Sequence, residues 1–271
     1  MILSHRLRSA AGAGSSFSGI TTNLTTHWDF GNSSSYSSGG TSITDLSGNN
    51  NGGTINDPNG NISYSSDNGG HIILTDDSTN SATISRNSDL FHNIGTGDFT
   101  LEFWWNPYYE NSRTANGLMN LFQNRPMTSQ NYKQNVLIQI RSRKIRISSW
   151  FIASTTTTPG SFTNLDSSSV YFQDGAYHGW EHLVFSRIGN SSNNMKFYRN
   201  NSLASTWTNK ADYDQAMTST GVKTVITSNV PAGSNYNYRG KFAIFRFYIG
   251  TGLTSSQVTT NWNIDKTRFG H

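Results

Sequence analysis

Glu102, Glu110 and Glu181 are the only glutamates in this chain of 271 residues. Glycoside hydrolysis needs two carboxyl groups flanking the scissile bond. They stand about 5–5.5 Å apart in retaining enzymes and about 6.5–9.5 Å apart in inverting ones. When one strand supplies both, a spacing of two sends the two side chains out of the same face. None of the three glutamates has a second carboxylate two residues away. Asp212-Tyr213-Asp214 is the one pair with that spacing, and it falls in a polar, loop-like stretch. The carboxylate pattern therefore argues against a glycosidase. No nucleophile elbow, phosphate-binding glycine loop or paired-histidine metal motif occurs. The absence of cysteine excludes thiol catalysis, zinc–thiolate sites and disulfides.

Binding is the chemistry that remains. Sugars are held by flat exposed rings together with planar polar groups. Trp104, Tyr108 and Tyr109 bunch at the end of one apolar segment, and Tyr236 and Tyr238 precede another, so these five are candidate carbohydrate contacts. Arg141, Arg143, Lys144 and Arg146 form the one basic cluster, read as a solvated hairpin tip or a contact for an acidic partner. A net charge of +4 spread over a chain with 13% charged residues is far from the cationic density of a nucleic-acid binder. No stretch is apolar enough for a membrane-spanning helix.

These side chains must be positioned by strands. Phe99 to Trp105 alternates large apolar side chains with others at period two, which predicts Phe99, Leu101, Phe103 and Trp105 on a core face and Trp104 on the opposite one. Asn106-Pro107 should stop that strand, because proline lacks a ladder donor. Trp180–Arg187 and Met195–Asn201 flank the turn-forming run from Ile188 to Asn194 and predict a hairpin. Leu183, Phe185 and Phe197 should join the core. Val136–Ile140 and Ile145–Ser149 predict a second hairpin. Near the end, Thr254 precedes Gln257 by three, a capping-box spacing, with Leu253 and Val258 placed as a staple and Trp262 one turn further on. One short helix should close the domain there. Fifteen Phe, twelve Tyr and seven Trp supply the buried area.

Taken in order, several segments carry a resemblance. His27-Trp28-Asp29-Phe30 and the loop Asp45-Leu46-Ser47-Gly48-Asn49 come first, then the strand around Glu102 and the Trp180-x-His182 hairpin, then the last strand Tyr238–Tyr248 with its closing helix. Together they resemble the laminin G-like branch of the concanavalin A-like jelly rolls. The resemblance implies an all-β, two-sheet antiparallel jelly-roll sandwich over residues 21–271, preceded by an extended arm over 1–20. It implies a structural role for Glu102 and a place for His182 in the sheet. It also implies a calcium site at the rim of the sandwich, for which Asp29, Asp45 and Asn49 are the candidates, with Asp76 and Asp77 as others.

The C-terminal run from Trp262 to Gly270 resembles such modules in virion proteins of marine phage-like viruses. This implies a non-enzymatic virion surface protein, a head decoration or small appendage, made in the host cytoplasm and possessing a lectin-like fold that binds glycans. A free carbohydrate-binding or adhesion module is the alternative, and a divergent glycoside hydrolase the third reading. The basic arm Met1–Arg8 is followed by small residues rather than an apolar stretch, so a cleaved signal is not expected. Ile2, Leu3 and Leu7 with Arg6 and Arg8 suit an extended contact to other virion proteins in a homo-oligomeric assembly.

Overall fold

The computed structural model describes residues 17–75, 83–86, 97–109, 119–126, 135–141, 144–150, 163–166, 175–189, 191, 194–207, 222–226 and 239–271. Among them two antiparallel sheets form a sandwich, as the alternation required. The first sheet runs in the order Ser202–Trp207, Met195–Arg199, Glu181–Arg187, Phe99–Tyr109, Gly240–Ile249, His71–Leu74 and Ile62–Ser65. Leu24–Asp29 also pairs with Gly240–Ile249, and the short strand Ala176–Tyr177 pairs with the end of Phe99–Tyr109. The second sheet runs Thr163–Asp166, Lys144–Trp150, Asn135–Arg141, Met119–Pro126, Val222–Ile226, Thr83–Arg86, Gly53–Asn56 and Ser42–Ile43.

Between the sheets lies the main core. Phe99, Leu101, Phe103, Leu183, Phe185 and Phe197 are all buried there, together with Trp28, Phe245 and Phe247. Ile55, Ile84, Ile138, Ile140 and Ile145 enter the same core from the second sheet. A one-residue slip of the central strand would put its charged and polar set inside, so the observed register is the one the apolar pattern selects.

The central strand does not end at Pro107; it continues to Tyr109. The proline is tolerated because of where its nitrogen points. A strand residue turns its N and C=O toward the same neighbour, and the carbonyl of Pro107 accepts from His178 N at 3.3 Å. His178 lies in the break between the strands Ala176–Tyr177 and Glu181–Arg187, where no ladder donor is called for. On the other side, Tyr108 N donates to Arg239 O at 2.9 Å and pairing with the last strand goes on.

A helix over Ser255–Asp265 closes the chain, followed by a 3-10 turn over Lys266–Phe269. The capping box forms as its spacing predicted. Gln257 N donates to the Thr254 hydroxyl and Thr254 N donates to Gln257 Oε1 at 2.9 Å. Leu253, Val258 and Trp262 are buried, together with Asn261 and Asp265. Positions 258, 261, 262 and 265 share one helical face, and that face lies on the outer surface of the first sheet. No helix among the described residues is long and apolar enough to cross a membrane.

Candidate functional site

The outward side of the central strand carries Thr100, Glu102, Trp104 and Asn106, all buried. In register, Glu102 stands opposite Arg246 of the last strand and Val184 of the hairpin, while Arg246 stands opposite His27. The closing helix covers this patch and supplies Asn261 and Asp265. Arg246 Nη1 donates to Glu102 Oε1 at 2.8 Å and to Asp265 Oδ2 at 2.7 Å, and Nη2 donates to Asp265 Oδ1 at 3.2 Å. His182 Nε2 lies 2.9 Å from Glu102 Oε1, and Asn261 Nδ2 donates to Glu102 Oε2 at 2.7 Å.

Charges this deeply buried persist only when paired and hydrogen-bonded. Burial by itself would raise the Glu102 carboxyl. Arg246 beside it, with the hydrogen bonds from His182 and Asn261, overcomes that and holds it down at about 2. Burial would likewise release the Arg246 proton, but Asp265 and Glu102 hold the guanidinium above its ordinary value. Arg246 Nε donates to His27 Nε2 at 3.3 Å, so His27 carries its proton on Nδ1, which has no hydrogen-bond partner. Burial, and then the charge of Arg246, lower the His27 pKa from 6.5 to about 2. It is a neutral ring.

Aromatic stacking holds the helix down. Trp104 lies against Trp262 at 5.2 Å between centroids and 13° between planes, and against Phe269 at 4.3 Å and 21°. Its Nε1 donates to Asp265 Oδ2 at 3.1 Å. Trp104 is thus no exposed sugar platform. The helix occupies its outer face, and its accessible fraction is 0%. Tyr109 is no exposed ring either: with the strand running through Pro107, period two carries it to the core side, also at 0%. Tyr108 remains half-buried, edge-on to Tyr177 at 5.1 Å, with the Arg239 guanidinium 4.5 Å from its ring centre. Tyr236 and Tyr238 lie outside the described residues, as do Arg143, Asp76, Asp77, Glu110, Asp212, Asp214 and the arm residues Ile2, Leu3, Arg6, Leu7 and Arg8. Arg141, Lys144 and Arg146 sit on the predicted hairpin, where Arg141 pairs with Lys144 across its end.

Beside the helix the surface opens into a groove of about 390 Å³, lined by Phe17, His27, Asp29, Asn32, Ser34, Arg246, Ile264 and Asp265 among others. Phe17 forms one wall. Its ring covers the Arg246 guanidinium at 4.2 Å and lies 4.8 Å from the His27 ring. Gly19 permits this fold-back, since a Cβ there would stand 2.2 Å from the Phe17 ring. Ile20 N then donates to Asn261 Oδ1 at 2.9 Å. The last residues of the expected arm are therefore fastened to the chain's own sandwich.

Behind the lining residue Asp29, Arg268 Nη1 donates to its Oδ1 and Oδ2 at 2.8 and 3.0 Å. Its Nε donates to Asn68 O at 2.7 Å and its Nη2 to Gly70 O at 2.6 Å. Gly31 makes room for it, because a Cβ there would lie 2.4 Å from Arg268 Nη2.

The three calcium candidates do not fit such a site. Asp45 spends its oxygens on the backbone N–H groups of His27, Ser47 and Asn51. Asn49 donates to Leu24 O at 2.9 Å. Asp45 holds a turn in the way Asx residues commonly do, and Asn49 ties that loop to the first strand. Asp29 faces a guanidinium, whose charge opposes a second cation. Among the described residues no group of three or more His, Asp or Glu could hold a metal ion.

Arg246, Asp265, Asn261, Arg268 and Phe17 were not picked out as a site from the sequence, and Asp29 was picked out only as a calcium ligand. The legible signals were a lone arginine inside the apolar last strand and two polar residues in step with Val258 and Trp262.

No protein-family model matches the sequence, and no curated protein matches it. Solved structures share the fold. Domain 4 of AbnA, a GH43 extracellular arabinanase from Geobacillus stearothermophilus, solved in complex with arabinotriose, is 20% identical, with 88% of this chain and 98% of that one covered and a TM-score of 0.55. The binding domain of botulinum neurotoxin DC, solved in complex with rat synaptotagmin II, is 13% identical, covering 91% of this chain and 52% of that one, TM-score 0.61. The same binding domain in complex with SialylT is 12% identical, with coverages of 91% and 52% and a TM-score of 0.59. This chain thus spans about half the length of the neurotoxin binding domain. The likeness is one of fold: a two-sheet β-sandwich.

Proposed function

We propose that this protein is a non-catalytic glycan-binding module and that the groove between Phe17, Asp29, Ser34 and Asp265 is its binding site. The observation that carries the reading is the groove itself. A concave site with a few convergent polar groups beside residues of displaced pKa is where ligands bind. This one joins carboxylate, amide and hydroxyl groups to the apolar surfaces of Phe17, Leu46 and Ile264. Sugars present the same mixture. Sandwiches of this fold solved with arabinotriose and with SialylT support the choice of ligand class.

The carboxylates near the groove support binding over catalysis. A general acid must hold its proton near working pH. Glu102 is ionised down to about 2 and lies under the helix, and Asp265 and Asp29 each answer a guanidinium. The test is an oligosaccharide array probed with the wild-type protein and with Ser34→Trp, a change at an exposed position that fills the groove without touching the core. Binding should be lost while the melting temperature is kept. Unchanged binding by the variant, or turnover of a bound oligosaccharide, would contradict the proposal.

In the same proposal the module works on a virion surface, held there by residues 1–16. The apolar Ile2, Leu3 and Leu7 beside the basic Arg6 and Arg8 support a contact to another protein, and the docking of Phe17–Ile20 gives the arm a fixed point of departure. A protein beginning at Phe17 should keep its glycan binding and fail to join particles. If it joins them at full occupancy, attachment lies on the sandwich.

A further inference from the structure

We infer that the groove selects a neutral saccharide and discriminates against one that carries a carboxylate or sulfate. This rests on the reading that the groove binds glycans, and it narrows the ligand by electrostatics and donor count.

Acidic sugars are recognised most effectively by a guanidinium whose two parallel N–H bonds are free to fork onto the anion. Arg246 lines the groove and Arg268 is paired to its lining residue Asp29, and neither has a fork left to offer. Arg246 spends Nε on His27, Nη1 on Glu102 and Asp265, and Nη2 on Asp265. Its flat face lies under Phe17. Arg268 spends Nε on Asn68 O, Nη1 on Asp29 and Nη2 on Gly70 O.

The charge balance points the same way. Arg246 is the single cation among the described residues that line the groove, against Asp29 and Asp265. Arg268 matches Asp29, and Arg246 is shared between Asp265 and Glu102. His27 contributes nothing, since its ring is neutral. An anionic ligand would meet the two carboxylates Asp29 and Asp265 and, among the described residues, no cation with spare capacity.

A neutral ring meets better-matched partners. The Asp29 carboxylate, Asn32, Ser18 and Ser34 offer acceptors and hydroxyl donors, and Ile264 and Leu46 offer an apolar surface for the C–H face. The discrimination is thus of the repulsive kind, built by placing like charge where the wrong ligand's charge would fall.

The experiment uses matched oligosaccharide pairs that differ only in a terminal carboxylated or sulfated sugar. Each is titrated calorimetrically into the full chain and into Ser34→Trp. The expected result is binding of the neutral member, at least about 10-fold weaker binding of the acidic one, and loss of both in the variant. Neutral binding should also hold steady when salt is raised, because no ion pair with the ligand is screened. Equal or tighter binding of the acidic member, still abolished by Ser34→Trp, would overturn this inference and leave the groove as a glycan site. Glycan binding untouched by Ser34→Trp would overturn the groove reading, and this inference with it.

Discussion

Arg246 is where the residue-scale account is most exposed to test, because three of its neighbours depend on its charge. Glu102 stays ionised because of it, Asp265 is anchored by it, and His27 is kept neutral partly through it. The pH dependence follows. His27 takes a proton near 6.5 once unfolded but only near 2 when folded. The unfolded state therefore binds more protons below 6.5, and stability falls as pH drops, by about 1.4 kcal/mol per unit for one such group. Glu102 acts in the same direction at lower pH. Its contribution is complete above 4.5 and is lost as pH falls toward 2. Urea unfolding followed between pH 6.5 and 4.5 should thus show stability declining, and His27→Gln should flatten the decline. Equal slopes in the two proteins would mean that His27 titrates alike in both states.

At the scale of elements, the closing helix decides what the outer face of the first sheet can do. Its start is a local device: the Thr254–Gln257 box satisfies two orphan N–H groups. Thr254→Ala should cost about 1 kcal/mol in chemical unfolding. A loss near zero would show that packing of Val258 and Trp262 alone fixes the helix. The same helix marks how far the sequence could be read. Period two placed Phe99, Leu101 and Phe103 in the core and Trp104 on the other face, because alternation is a property of the strand itself. It could not say what covers that other face, which depends on where a helix some 150 residues later comes to rest. Trp104 therefore read as a candidate platform, and the structure places it in a stack. Pro107 failed for a related reason. A proline ends a strand only where its missing donor is needed, and the neighbour that decides this is the break at His178, remote in sequence. The polar residues Asn261 and Asp265 went unnoticed because helical faces were read from apolar residues alone.

At the scale of the whole molecule, the groove is assembled from ends of the chain that only the fold brings together. Phe17 arrives from the N-terminal segment, Asp29 and Ser34 from the first strand and its loop, Arg246 from the last strand, and Asp265 from the closing helix. No local motif announces such a site. The fold was legible because many segments each carried part of it, whereas the site depends on side chains that are individually ordinary. The most direct measurement of the central claim is backbone-amide NMR of the labelled protein during titration with a glycan that it binds on an array. The groove account predicts shifts concentrated in residues 17–20, 29–35 and 264–265. Shifts concentrated instead around Tyr108 and Tyr177, with those segments unmoved, would contradict it.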